Sequence, residues 1–326
     1  MYAITIPLPG SSDALVFGEV PDVVAGPGEV LINVAAAGVN RADIGQRMGH
    51  YPPPAGASPL PGMEVSGTIV ALGDGADGGW AVGDRVCALL AGGGYASLAV
   101  APIGQLLPVP DSLDLMDAAG LPEAIATVWS NVFMLADLRP GETLLVHGGS
   151  SGIGTIAIQL ARALGSLVAV TAGSPAKLDA CEHLGADILI NYRTEDFAQR
   201  LLTETNGHGV DVILDSIGGG YLSQNLSALA PNGRLVNIAN LSGKTGELDF
   251  GIVMRKWISI FGSTLRARPL EKKNEILASV RENVWPLVAA GLVVPVIDSR
   301  YALADACLAH RRMESSKHIG KLLLLP

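Results

Sequence analysis

Residues 143–172 read TLLVHGGSSGIGTIAIQLARALGSLVAVTA, and no other stretch limits the possible fold as strongly. A β-branched run ends in glycines, opens directly into a longer segment and returns to a second β-branched run. In the middle segment Ile153, Ile156, Ala157, Leu160, Ala161 and Leu164 recur at i, i+3, i+4, i+7, i+8 and i+11, which is one face of a helix. Strand, helix and strand in that order form a βαβ unit, whose two strands lie parallel and need cover on both faces. The rhythm continues through PAKLDACEHL, DILIN, DFAQRLLTET, VDVILD, YLSQNLSALA and RLVNIA. It ends with a strand near ISIFGSTL and a helix near EKKNEILASVRENVWPLVAAG. The expectation is an α/β fold built on a doubly wound parallel sheet.

The rest of the chain is written differently. From Glu29 to about Pro110, short runs (VLINVAAAGV, VSGTIVALG, RVCALL, YASLAVA) alternate with Gly, Pro and Asp turns, the pattern of a small, mostly antiparallel barrel or sandwich. From Val293 short strands return around one helix, ADACLAHRRM. With 326 residues against roughly 100 to 200 per domain, two domains are expected. The first runs over 1–122, the nucleotide-type domain over 123–292, and the tail 293–326 rejoins the first.

Charge and cysteines narrow the partners and the compartment. The net charge is −9 and the basic residues form no run, which argues against a nucleic-acid partner. Cys87, Cys181 and Cys307 are isolated and odd in number, which suits a reducing, cytoplasmic setting better than a disulfide framework or a cysteine zinc lobe. The N-terminal MYAITIPLPGSSDALVF lacks the layout of a signal peptide. The least charged stretch, 144–172, is broken by glycines and Arg162, so no membrane partner is expected.

The glycine turn is a seat for a pyrophosphate. A strand that ends in glycines and opens a helix offers free N–H groups and the positive helix end to an anion, and Ser151, Gly152, Ile153 and Gly154 are the residues placed to line it. A tight turn without ligand is the alternative, which the βαβ context weakens. Gly173 lies 19 residues after Gly154, where an NAD site carries Asp or Glu against the ribose hydroxyls. Here Gly173 and Ser174, with Lys177 and the phenol of Tyr192, accept a 2′-phosphate instead, so NADPH is favoured over NADH. The competing reading is a serine N-cap followed by a solvated lysine. Ligands bind outside the carboxyl ends of parallel strands, so Ser216, Ile217 and Gly218, then Ala239, Asn240 and Leu241, then Phe261, Gly262 and Ser263 are expected along the cofactor.

Gly148, Gly152 and Gly154 also fit the glycine spacing of short-chain dehydrogenases. That family begins with this turn and uses a Tyr-x-x-x-Lys pair, yet Tyr192, Tyr221 and Tyr301 have no lysine four residues on. Instead the chain resembles the medium-chain dehydrogenase/reductase superfamily, within it the zinc-independent quinone oxidoreductases related to zeta-crystallin. The resemblance runs through AAGVNRADIGQRMGHYPPPAGASPLPGMEVSGTIVALG, VGDRVCALLAGGGYASLAV, LPEAIATVW, TAGSPAKL, ILDSIGG and AHRRMESSKHIGKLLL. YPPPAGAS and TAGSPAKL point to the branch of the tumour-suppressor-inducible quinone oxidoreductase.

The resemblance implies a GroES-like catalytic domain beside a Rossmann domain, NADPH as cofactor and a homodimer. Where zinc alcohol dehydrogenases carry a cysteine ligand, this chain has Asn40, and where they carry the histidine of Gly-His-Glu it has Met63; Glu64 alone cannot hold zinc. A site without that Lewis acid suits acceptors that take a hydride easily, namely quinones and activated enones. Tyr51 and Asn40 match positions that face the nicotinamide and are expected to hydrogen-bond the reacting oxygen. Thr127 matches another such position, and Lys317 is a further candidate for the cofactor. From the residues alone, HYPPPAGASPLP is a proline-stiffened loop, Asn40 a turn residue, Thr127 a buried helix threonine, Asp43 structural and His50 a solvated histidine. Two other functions stay open: an enoyl-thioester reductase of the same superfamily, and a non-catalytic NADPH-binding protein.

Overall fold

The computed structural model describes residues 1–76 and 78–326. They form two compact units, Thr127–Thr264 and a second made of Met1–Ala126 with Leu265–Pro326.

Thr127–Thr264 holds a six-stranded, wholly parallel sheet. Its spatial order is Ile188–Asn191, Leu167–Ala172, Thr143–His147, Val210–Asp215, Leu229–Asn237 and Ser259–Gly262. The order departs from Thr143–His147 in both directions, which makes the carboxyl end of that strand a topological switch point. Thr143–His147 is buried along its whole length because both faces are covered, and so it reads as an unbroken apolar run. Helix Gly152–Ala163 buries Ile156, Ala157, Leu160 and Ala161, the face that the spacing marks. Leu145, Ala169, Ile190, Phe197, Leu201, Ile213 and Leu226 form a core on this sheet. The doubly wound α/β expectation is met.

The other unit is a seven-stranded sheet. Its path runs Ile297–Ala302, Lys321–Leu325, Glu29–Val39, Glu64–Leu72, Arg85–Leu89 and Leu106–Pro108, with Leu98–Pro102 also on Glu29–Val39. All its pairs are antiparallel except Ile297–Ala302 with Lys321–Leu325. Ile32, Val65, Ile69, Val86, Leu106 and Leu324 centre its core.

The expected domain boundary at 292 differs from the division seen here. Helices Leu270–Asn283 and Trp285–Ala289 belong with the mostly antiparallel unit. Arg281 Nη2 donates to Leu106 O at 2.7 Å, Trp285 Nε1 to Pro108 O at 2.6 Å and Gln105 Nε2 to Asn274 Oδ1 at 2.5 Å. Helical periodicity shows that a face is apolar but not which sheet it covers. The single helix expected over 271–291 is two, because Pro286 has no N–H to continue the ladder and starts a new helix instead. Among the described residues no helix is long and apolar enough to cross a membrane.

Candidate functional site

At the switch point the backbone leaves no room for side chains. Gly148 has φ +75° and its N–H, with that of Gly149, donates to Thr171 O at 3.0 Å. A Cβ on Gly154 would lie 2.4 Å from Gly148 O, and one on Gly149 would lie 2.7 Å from Val170 Cβ. Ser151 caps the helix by accepting Gly154 N–H at 2.9 Å. Ser151, Gly152 and Ile153 are half-buried at the open end of the strand. A bare glycine cradle at a 12-residue helix start fits a pyrophosphate.

On the next strand, a Cβ on Gly173 would meet Tyr192 Oη at 2.6 Å and Arg193 Nε at 3.1 Å, so these three positions converge. Ser174 stands at the N-cap of Pro175–His183 in extended backbone, and its hydroxyl makes no capping bond. Lys177 lies in the first turn of that helix. Arg193 is the residue that sequence reasoning missed. Its signal was the cation directly after Tyr192 in NYRTED, easily read as one more solvated arginine on an exposed turn.

The three later loops are tied to one another. Asp215 Oδ1 accepts from Ile217 N at 2.7 Å and Gly218 N at 3.2 Å, Leu241 N donates to Ser216 O at 3.3 Å, and Ser242 N to Ile217 O at 2.8 Å. Asn237 Nδ2 holds Ala239 O at 2.9 Å, and Asn240 and Leu241 are exposed. Phe261 and Gly262 end the last strand; Ser263 N donates to Asn237 O at 3.2 Å, and its hydroxyl donates to Asn131 Oδ1 at 2.5 Å. Asn131 Nδ2 in turn reaches Thr127 O at 2.8 Å, with Thr127 itself buried.

In the mostly antiparallel unit Asn40 and Glu64 meet Lys321 in a buried cluster. Asn40 Nδ2 donates to Glu64 Oε1 at 2.9 Å and to Gly38 O at 3.5 Å, while Asn40 Oδ1 accepts from Lys321 Nζ at 2.7 Å. Lys321 also pairs with Glu64 Oε1, and both side chains are buried. Each polar atom of the Asn40 amide thus has a partner within the protein. Gly38 makes the cluster possible, since a Cβ there would lie 2.2 Å from Glu64 Oε1. Met63 is buried beside it in sequence. Sequence reasoning missed Lys321, although a lysine heading the run LLLL was a visible anomaly.

Asp43, fully buried, accepts from Asn40 N at 2.7 Å, Gly62 N at 3.1 Å and Tyr95 Oη at 3.1 Å, a structural role. Burial outweighs these bonds and pushes its carboxyl up to about 6. Tyr51 is half-buried. The Arg266 guanidinium lies 5.6 Å from its ring centroid and is itself held by Ala91 O at 2.7 Å and Gln46 Oε1 at 2.7 Å. Burial, then the charge of Glu123, raises the Tyr51 phenol against the pull of Arg266, so it stays a donor at neutral pH. His50 and Lys317 are exposed. Among the described residues no group of three or more His, Cys, Asp or Glu is placed to hold a metal.

A glycine-cradled parallel sheet in one unit and a mostly antiparallel sheet completed by the end of the chain in the other define the class of two-domain dinucleotide-binding dehydrogenases and reductases. Residues 26–111 match the model of the alcohol dehydrogenase GroES-like domain, and residues 152–281 that of the zinc-binding dehydrogenase. The chain belongs to the medium-chain dehydrogenase/reductase superfamily. It is 30% identical to a mycobacterial protein solved in complex with NADPH, with TM-score 0.90 and all of both chains covered. It is 29% identical to Escherichia coli quinone oxidoreductase, also solved with NADPH, at TM-score 0.89 with all of both chains covered. CurK enoyl reductase is 28% identical at TM-score 0.87, covering 99% of this chain and 98% of that one. A phenolphthiocerol/phthiocerol polyketide synthase of Mycobacterium tuberculosis is 32% identical over 98% of this chain, which spans only 14% of that much longer protein.

Proposed function

We propose that this chain is an NADPH-dependent reductase that works without zinc and delivers hydride to quinones or activated enones. The observation that carries the reading is the Asn40–Glu64–Lys321 cluster. At the positions where zinc dehydrogenases have thiolate and imidazole, this chain has an amide and a thioether, and the Lys321 ammonium already occupies the oxygens of Asn40 and Glu64.

The residues present fit NADPH. Ser151 to Gly154 would hold the pyrophosphate, and Ser174, Lys177, Tyr192 and Arg193 the 2′-phosphate, with Gly173 and Ser174 standing where a carboxylate would repel it. The loops 216–218, 239–241 and 261–263 would line the rest, with Thr127 nearby in sequence to the Asn131 anchor. Bound, the nicotinamide would supply a hydride. The protein's own part is to orient the acceptor and to stabilise the oxygen that gains charge, through the hydroxyl of Tyr51, whose ring is steadied by Arg266. The test is NADPH oxidation with 1,2- and 1,4-quinones and with enones; tight NADPH binding with no turnover sinks the reading.

A second reading is favoured by the likeness to the mycobacterial polyketide synthase and to CurK enoyl reductase: reduction of an enoyl thioester. Competition between a crotonyl thioester and a quinone separates the two. A non-catalytic NADPH-binding role requires that Tyr51→Phe leave every measured function unchanged.

A homodimer is part of the proposal. Strand Ser259–Gly262 is hydrogen-bonded on one side only, and Ile260 (43% exposed), Phe250, Met254 and Trp257 present apolar surface on and beside that edge, which a second copy would cover. The three free thiols fit a cytoplasmic location.

A further inference from the structure

The parallel sheet of Thr127–Thr264 carries a polar row along its carboxyl edge. Four strands that are neighbours in the sheet end at, or one residue past, a hydrogen-bonding side chain: Thr171, His147, Asp215 and Asn237. Thr171, His147 and Asp215 are buried, and the row is joined by Asn225 of helix Leu222–Ala228, which is buried as well. Polar groups so placed need partners, and these partner one another. Gly148 N–H, from the glycine cradle, reaches Thr171 Oγ1 at 3.3 Å. His147 Nδ1 lies 3.0 Å from Thr171 Oγ1, and its Nε2 lies 2.7 Å from Asn225 Oδ1. Asn225 Nδ2 donates to Asp215 Oδ2 at 3.3 Å. Asp215 also receives the N–H groups of Ile217 and Gly218, and at 3.3 Å the Asn237 Nδ2 that holds Ala239 O.

The partners fix where each hydrogen lies. Among the described residues every hydrogen bond to Asp215 comes from an N–H, so the Asn225 amide turns its nitrogen to that carboxylate and its oxygen to His147. An amide oxygen 2.7 Å from Nε2 requires a proton on Nε2, since two bare acceptors would repel each other. Burial, the largest cause, lowers the imidazole against the opposing pull of the Asn225 bond and the Asp215 charge, which keeps the ring neutral and leaves Nδ1 bare. The donor that a bare Nδ1 needs is the Thr171 hydroxyl. The row therefore runs in one direction, from Gly148 N–H through Thr171 O–H, His147 Nε2–H and Asn225 N–H to Asp215, and each bond polarises the next. Phe197 and Tyr221 hold the ring edge to face, with centroids 4.8 and 4.9 Å away.

We propose that His147 is a positioning residue for the cofactor: in its neutral Nε2–H form it locks the glycine cradle at Gly148 to the loops at Ile217–Gly218 and Ala239, so that the pyrophosphate seat and the loops lining the rest of the nucleotide are held as one body. The proposal rests on the NADPH reading above, although the row itself is built without any ligand. Its position in the row sets His147 apart. Thr171 faces the cradle and Asn225 faces the loops, whereas the rigid imidazole takes a hydrogen bond on one side and gives one on the other.

¹⁵N NMR of the full chain with labelled histidine and without nucleotide reads the imidazole directly, and needs no variant to fold. At neutral pH His147 should show a protonated Nε2 and a bare, hydrogen-bonded Nδ1. Thr171→Val removes the hydroxyl and keeps the shape. In that variant the Nδ1 signal should move to that of a nitrogen without a donor, the amide hydrogens of Ile217 and Gly218 should exchange about 10-fold faster, and the Kd for NADPH should rise about 10-fold. Thr171→Ser, which keeps the hydroxyl, should hold the nitrogen pattern and stay within about twofold of wild type in exchange and in Kd. A protonated Nδ1 or an imidazolium at neutral pH, amide exchange at Ile217 and Gly218 that Thr171→Val leaves within about twofold of wild type, or a Thr171→Ser variant as impaired as Thr171→Val would overturn the proposal. Failure of the NADPH reading shows differently, as a wild type with this nitrogen pattern and this exchange response that binds no NADPH.

Discussion

Single side chains in this protein are decided by who already holds them. Lys321 neutralises Glu64 in a dry site, so Lys321→Met leaves an uncompensated buried carboxylate and should destabilise the fold by about 3–5 kcal/mol in urea unfolding. His310 gives a pH signature. Its ring stands between Arg47 Nη1 at 3.3 Å and Tyr95 Oη at 3.1 Å, and burial, then the Arg47 charge, depress it to about 3. The folded chain thus stays unprotonated while the unfolded chain, with its histidine near 6.5, takes up a proton first as pH falls. His310 therefore contributes stability that is present above about pH 6.5 and is lost as pH falls toward about 3. A His310→Gln variant that still folds should show a flatter decline over that range in a urea series. At the cofactor end, Lys177→Ala and Arg193→Ala should each raise the Kd for NADPH about 10-fold or more, as for one charge-assisted hydrogen bond, and leave that for NADH unchanged. Isothermal titration with both nucleotides checks it.

Elements show how far a sequence speaks. The start of helix Gly152–Ala163 depends on glycines whose missing side chains are replaced by backbone: Gly154→Ala sets a methyl 2.4 Å from Gly148 O. That variant should lose NADPH binding and melt lower, by fluorescence titration and thermal unfolding. This much was legible, because strand, turn and helix are written by local rules and the apolar face of the helix repeats every 3.6 residues. The parallel sheet and its loops were legible for the same reason. What could not be read were facts created by distant pairing. Lys321 meets Glu64 across 257 residues, and its burial follows from the antiparallel pairing of Lys321–Leu325 with Glu29–Val39, which no local window contains. In LPEAIATVW the threonine draws the eye before Glu123 does, since nothing in that motif shows that the glutamate lies against Glu64. The helices over 270–289 were legible as helices, yet their sheet was not, because an apolar face does not name the surface it will cover.

For the whole molecule, the exposed edge at Ser259–Gly262 sets a test of assembly: Ile260→Arg should convert a dimer into a monomer in light scattering after size exclusion, with the thermal midpoint of the monomer as control. The layout of the chain also fixes an order of events during synthesis. Thr127–Thr264 is one continuous segment and can close its sheet as soon as it clears the ribosome. The unit that begins at Met1 cannot, because Lys321–Leu325 lies between Glu29–Val39 and Ile297–Ala302 in its sheet. Strands translated early must wait for Lys321–Leu325, translated after the whole of Thr127–Thr264, holding an apolar edge open meanwhile, so nascent chains stalled before residue 321 are where chaperone dependence and aggregation should concentrate.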